Sequence, residues 1–223
     1  MLSYVLFPDI DFDRRADVTK LTRFKPWVKT LIFSHATYRL RKIPDNLEKS
    51  KIILLVRDPR DIVVSSYFEH TKRTGGFNPD RTISEFIRDD TYGIQSIVDF
   101  YNEFYEKYES NIKYVIAYEE LHADTISALK NIIPIITKDK RYLEETKLNK
   151  ALLECEFNKL QNRSKDSKDL RLRPYDVNDN ESNKFRKGKV GDFINYFSED
   201  DIKYLNSILG KMNPTFGYQS DNA

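Results

Sequence analysis

The 223-residue sequence has one cysteine, Cys155. No internal disulfide is possible, and a reducing, cytoplasmic setting is favoured. Three histidines beside that cysteine are too few for a structural zinc site; a carboxylate-bound ion is not excluded, and no metal ligands are assigned. The longest aliphatic run, Ile52 to Val56, falls far short of the ~20 residues that a membrane span needs. No basic segment followed by an apolar stretch opens the chain, so no secretory signal is recognisable. Charge of one sign is lacking too, with 37 Lys and Arg against 35 Asp and Glu and a net charge of +2. Such a surface is not built globally for nucleic acid, and any anion site must come from local clustering. Repeats and Gly/Pro tracts are absent, which excludes fibrous classes.

What the chain does have is aromatic bulk. Fourteen Tyr and fourteen Phe supply a sizeable core although charged residues make up 32%, against about 25% in an ordinary globular protein. The length fits one large domain, 1–223, better than two. Thr30 to Ser34, Lys51 to Arg57 and Ile112 to Ala117 are short, continuously apolar runs, which predict strands of a parallel sheet buried on both faces. Helical spacing fills the intervals: Ile83, Phe86 and Ile87 on one face, then Ile94, Ile97, Val98, Tyr101, Phe104 and Tyr105 on a stronger one. Leu121 to Ile136, Lys140 to Leu160 and Ser198 to Met212 are also predicted to be mostly helical, with Pro134 interrupting the first. Strands alternating with helices indicate an α/β fold, a parallel sheet flanked by helices.

Two helix starts follow from side-chain chemistry. Asp58 can cap a helix whose first turn holds Pro59, where no N–H is needed. Ser198, followed by three acidic residues, can cap another. Between Asn162 and Gly191 the apolar pattern collapses into a loop of nearly thirty residues, of a length commonly functional or mobile. Nine basic residues there outnumber five acidic ones, so the loop is either a solvated segment or an anion-binding lid.

Two local patterns carry chemistry. In Lys51-Ile-Ile-Leu-Leu-Val-Arg-Asp-Pro-Arg-Asp61 a buried strand delivers Arg57 at its carboxyl end and a capped helix begins at once. Ligands of open α/β sheets bind beyond such strand ends, and a guanidinium fork suits phosphate or sulfate oxygens. Ser65, about two turns into that helix, offers a hydroxyl donor to the same anion. The competing reading of Arg57 is an ion pair with Asp58 or Asp61. The second pattern, Phe185-Arg-Lys-Gly-Lys-Val-Gly-Asp192, puts two cations before a glycine whose backbone N–H an anion can approach closely.

In order and spacing the two patterns resemble the sulfotransferase family that uses 3′-phosphoadenylyl sulfate (PAPS). Its members end a strand in Arg-Asn/Asp-Pro-Arg/Lys-Asp with Ser eight residues after the first Arg, matched by Arg57 to Asp61 and Ser65. They also carry Arg-Lys-Gly, two residues, then Gly-Asp-aromatic, matched by Arg186-Lys187-Gly188 and Gly191-Asp192-Phe193. The resemblance covers the chain from about Lys29 onward. It implies that Arg57, Ser65, Arg186, Lys187 and Gly188 hold the cofactor's 3′-phosphate, and that the loop closes over the nucleotide. Tyr118 in Tyr-Glu-Glu-Leu121 matches the family's Tyr-Glu-Asp segment at the adenine, and Cys155 and Phe157 match a Thr-x-Phe pair at that base, with Cys155 a departure. A bare reading makes Tyr118 and Phe157 core aromatics. His35 in Phe-Ser-His-Ala36 matches the family's Lys-Thr-His segment and is the implied base for the acceptor's hydroxyl proton, suited by a reference pKa of about 6.5; the lysine two residues before it is Phe33 here.

The family's first cofactor element, a Pro-Lys-Ser-Gly-Thr-Thr-Trp loop cradling the 5′-phosphosulfate, has no counterpart, and no glycine precedes Gly75. The chain is therefore expected to begin just downstream of that loop, as a truncated reading of a longer gene or a degenerate member. The resemblance implies a P-loop-NTPase-like sulfotransferase fold, PAPS as donor and PAP as product, and a small-molecule, carbohydrate or lipid acceptor. A catalytically impaired PAP-binding remnant is the alternative. A P-loop kinase-like enzyme ranks last, for no Gly-x-x-x-x-Gly-Lys-Ser/Thr occurs.

Overall fold

The computed structural model describes residues 1–10, 12–15, 21–23, 47–73, 80–169, 172–176 and 178–219. The expected strand Thr30 to Ser34 and the candidate base His35 lie outside the described residues. The helices, in chain order, are α1 (Leu2–Leu6), α2 (Phe12–Arg15), α3 (Pro59–Phe68), α4 (Ile83–Ile87), α5 (Ile94–Tyr108), α6 (Tyr118–Ala123), α7 (Thr125–Ile136), α8 (Glu145–Glu154), α9 (Phe157–Lys165) and α10 (Glu199–Leu209). Among the described residues the strands are β1 (Ile52–Val56) and β2 (Ile112–Ala117). Two compact units divide the chain, one drawn from 1–35 and 120–188, the other from 36–119 and 189–223. Among the described residues no helix is long and apolar enough to cross a membrane.

The second unit holds the sheet. β1 and β2 pair in parallel, Ile53 opposite Tyr114 through Val56 opposite Ala117, with a register shift between Ile52 and Ile53. Ile52, Leu54 and Val56 point into a core with Val63 of α3, Phe86 and Ile87 of α4, the apolar stripe of α5 from Ile94 to Tyr108, and Leu205, Ile208 and Leu209 of α10. Each such side chain, fully buried, contributes about 1.5–3 kcal/mol before ordering entropy is subtracted. The stripe of α5 follows the 3.6-residue spacing that its sequence predicts. The expectation of strands buried on both faces is met unevenly: on the face opposite Leu54, Ile116 of β2 is buried while its partner Leu55 is 52% exposed. Strand side chains alternate between faces, and among the described residues the core cluster forms on the side of Leu54.

The caps form where their side chains predict them. Asp58 accepts the Arg60 N–H at the start of α3, with Pro59 in the first turn. Ser198 and Asp201 form a reciprocal capping box at the start of α10. Asp201 is buried and also accepts from Ser84 Oγ at 2.7 Å and pairs with Arg88.

In the first unit, Tyr4 and Val5 of α1 pack against Leu129 and Ile133 of α7 and Leu148 and Ala151 of α8. Here the helix ends differ from expectation. Pro134 does not interrupt Leu121 to Ile136; it sits inside α7, two residues from its end, where only one backbone bond is lost. The break falls instead at Asp124, whose side chain caps α7 by accepting the Ser127 N–H at 3.0 Å. Lys140 to Leu160 is likewise a 3-10 turn (Lys140–Leu143) and two helices parted at Cys155 and Glu156. Helix α9 runs to Lys165, so the basic loop begins at Asp166.

Burial alone raises the Asp201 carboxyl, but hydrogen bonds from Arg88, Ser84 and Ser198 outweigh it and hold the group at about 2. An unfolded Asp titrates near ~3.9. The stability from this group is therefore complete above pH ~4 and lost as pH falls toward about 2. Asp201→Asn should lower stability at pH 7 by about 1–3 kcal/mol and flatten the acid limb of the urea-midpoint profile. Equal acid slopes in variant and wild type would contradict this.

Candidate functional site

The junction of β1 and α3 carries two arginines with different surroundings. Arg60, 5% exposed, gives its Nη2 and Nε to Asp58 at 2.7–3.2 Å and its Nη1 to Asn206 Oδ1 at 3.2 Å, and its guanidinium lies over the Phe193 ring at 4.3 Å. It is consumed by the protein. Arg57, at the carboxyl end of β1, is not. Its Nη2 donates to Asp61 Oδ2 at 3.0 Å and to the Lys189 carbonyl at 2.9 Å. The guanidinium carbon stands 4.5 Å from the centroid of the Tyr118 ring, a cation–π contact. The Arg57 Nε is buried and has no hydrogen-bond partner among the described residues. Leaving a buried donor unsatisfied costs about 1–3 kcal/mol.

The ion pair weighed for Arg57 exists, and its partner is Asp61; Asp58 is taken by Arg60. Asp61, its side chain 1% exposed, does more than pair. Its Oδ2 also accepts the Gly191 N–H at 2.9 Å, and its Oδ1 accepts the Phe193 N–H at 3.1 Å. Gly191 adopts φ +72°, a left-handed conformation open to glycine at little cost, and the chain turns there into a 3-10 helix (Asp192–Asn195). The two sequence patterns thus meet at their Arg57-to-Asp61 and Lys189-to-Phe193 ends.

Behind Arg57 lies a partly buried polar frame. The Arg57 N–H donates to the Tyr101 hydroxyl at 3.1 Å. Glu119 Oε1 accepts the Asp58 N–H at 3.0 Å, and Oε2 accepts the Tyr218 hydroxyl. Burial pushes the Tyr101 phenol above its ordinary range. Burial and the bond to Glu119 do the same to Tyr218. Both phenols stay protonated at neutral pH and serve as fixed dipoles, not as bases. Ser65 is exposed on α3.

The remaining candidates belong to the first unit. Gly188 has φ +62°, and a Cβ there would stand 2.6 Å from Cδ2 of the Phe157 ring. The turn before it is anchored by Gln161, whose Nε2 donates to the Phe185 carbonyl at 2.8 Å. Arg186 Nη1 pairs with Glu181 Oε2 at 3.1 Å, and Lys187 is half-buried. Cys155 caps the end of α8 and packs beside the Tyr4–Leu148 cluster. The structure therefore joins Arg57 to Tyr118 and Phe157 to Gly188.

Asp61, Tyr101, Glu119 and Tyr218 hold this site, and sequence reasoning assigned them no part in it. Asp61 stood in the motif only as a rival partner for Arg57, and Tyr101 only as a core residue of α5. Asp61, Tyr101 and Glu119 accept from backbone N–H groups, which leave no signature in residue type.

A model of the sulfotransferase domain matches residues 12–215. The chain is similar to cytosolic sulfotransferase 17 of Arabidopsis thaliana, 28% identical over 234 aligned residues that cover 99% of this chain and 65% of that protein. It is 33% identical to human sulfotransferase 4A1 over 123 residues, 51% of this chain and 42% of that protein. The chain thus spans less than two thirds of the length of these relatives. Among solved structures, the crystal structure of mouse sulfotransferase SULT7A1 complexed with PAP shares the fold, with a TM-score of 0.53 and 22% identity over 76% of this chain and 61% of that one.

The two left-handed glycines should differ in what they tolerate. Gly191→Ala, with nothing within 4 Å of the added Cβ, should cost only the backbone strain, about 1–2 kcal/mol. Gly188→Ala adds an overlap with Phe157 and should cost at least a further ~1 kcal/mol. Urea unfolding of both variants checks this; equal losses would show that the Phe157 ring moves aside freely.

Proposed function

The chain belongs to the sulfotransferase domain family, and from that premise we propose that it moves the sulfuryl group of 3′-phosphoadenylyl sulfate to a hydroxyl or amine of an acceptor, leaving PAP. The observation that carries the nucleotide half of this reading is the Arg57 Nε, a buried donor at a strand's carboxyl end without an acceptor among the described residues. A phosphate oxygen satisfies it with a charge-assisted bond, stronger than a neutral one. Arg186, Lys187 and the Gly188 N–H join Arg57 on the same 3′-phosphate, with Ser65 adding its hydroxyl. The left-handed Gly188, where a Cβ has no room, suits a backbone N–H that must approach an anion closely. Gly191, fixed by Asp61, follows Gly188 by three residues in sequence.

Tyr118, Phe157 and Cys155 flank the adenine, where stacking on an aromatic ring contributes roughly 1–3 kcal/mol. PAPS, once bound, supplies an activated sulfuryl group with PAP as leaving group. His35 accepts the proton of the attacking acceptor hydroxyl as the oxygen approaches sulfur; its neutral imidazole has the basicity for this near pH 7. The acceptor pocket takes a small molecule, with phenols, sterols, sugars and lipid alcohols all within the chemistry of one histidine base.

Titration of PAP into the purified chain tests the site without knowledge of the acceptor. Arg57→Ala and Arg186→Ala should each weaken PAP about ten- to a hundredfold, the equivalent of a charged hydrogen bond. Unchanged affinity in both would refute the site. His35→Ala should retain PAP affinity yet give no labelled product from radiolabelled PAPS with a panel of phenols, sterols and sugars. If the wild-type chain binds PAP but labels none of them, the chain is a nucleotide-binding protein without transfer.

A further inference from the structure

We infer that Asp61 is the positioning residue of the anion site: its carboxylate holds the Arg57 side chain in the rotamer in which the phosphate meets it. The inference rests on the 3′-phosphate reading above and deepens it. An arginine bonds a phosphate most strongly through paired N–H groups, commonly Nε with Nη2. Here Nη2 is taken twice, by Asp61 Oδ2 at 3.0 Å and by the Lys189 carbonyl at 2.9 Å. The Tyr118 ring, 4.5 Å from the guanidinium carbon, flanks the group from one side. What is left for an anion is Nε, buried and without a partner among the described residues, or Nη1 on the opposite side of the guanidinium, each as a single donor.

Asp61 is itself held from two further directions. The Gly191 N–H at 2.9 Å and the Phe193 N–H at 3.1 Å fill its oxygens, and the side chain is 1% exposed. A carboxylate so enclosed cannot swing out to water, and the arginine it grips stays in one rotamer. The same bonds keep the Lys189 carbonyl on Arg57. An anion with its own oxygens therefore meets a guanidinium already oriented, at little cost in side-chain entropy. Asp61 touches no ligand atom and acts through Arg57.

Asp61→Asn keeps the shape but replaces one acceptor oxygen by an NH2 that faces N–H donors. The full chain and this variant are titrated with PAP and with adenosine 5′-phosphate, which lacks the 3′-phosphate. Asp61→Asn should weaken PAP about tenfold and leave adenosine 5′-phosphate unchanged, and should add nothing to the loss already caused by Arg57→Ala in the double variant. Equal weakening of both nucleotides, or additive losses in the double variant, would overturn the inference by showing a general structural role. A wild-type chain that does not bind PAP, or an Arg57→Ala variant that binds it normally, defeats the underlying 3′-phosphate reading instead, and this inference with it. Should Asp61→Asn fail to fold, Asp61→Glu, which keeps both acceptor oxygens but moves them by one methylene, takes its place in the same titrations with the same outcomes expected. The Arg57 Nε–H resonance, assigned by its loss in Arg57→Lys, should shift with PAP and not with adenosine 5′-phosphate; the same response to both would sink the proposal.

Discussion

A carboxylate shut away from water must find hydrogen-bond donors, and the three that Asp61 finds tie together the parts of the molecule on which the anion site depends. One donor is the Arg57 guanidinium at the end of β1. The other two are backbone N–H groups of Gly191 and Phe193, which lie 130 and 132 residues further along the chain. The strand end and the turn after the Arg-Lys-Gly run are thereby fixed to one acid on the first turn of α3. The Asp58 cap places that helix, the core under Val56 and Val63 places the strand, and Tyr101 holds the Arg57 backbone from behind.

The two arginines of the motif illustrate how environment separates residues of one type. Arg60 spends its donors on Asp58 and Asn206 and its face on Phe193, and so works as a brace between α3 and α10. Arg57, three residues earlier, keeps a buried Nε without an acceptor among the described residues. A structural ion pair and an anion site are not exclusive here: the bond to Asp61 takes one nitrogen and aims the others. The same economy applies to Gly188, whose left-handed φ and contact with Phe157 leave no room for a side chain.

Much of this was legible in the residues. The strands at Ile52–Val56 and Ile112–Ala117, the stripe of α5, the Asp58 and Ser198 caps and the Arg57 strand end follow from periodicity and capping chemistry, and they form as expected. Local propensity was weaker where it competed with tertiary placement. Pro134 is accommodated because it falls in the last turn of α7, while the unremarked Asp124 starts that helix. Leu55, one letter in an unbroken apolar run, stays 52% exposed because burial depends on what packs over each face. Least legible was the frame around Arg57. Asp61 and Glu119 are defined there by the backbone groups they accept, and a carboxylate in a sequence does not announce which N–H it will meet.

The most direct measurement is a crystal structure of the chain with PAP bound. The account predicts the 3′-phosphate within hydrogen-bond distance of both Arg57 Nε and the Gly188 N–H, with the Arg57–Asp61 pair intact. A nucleotide whose 3′-phosphate touches neither group, or an Arg57 swung away from Asp61 to reach it, would contradict the account.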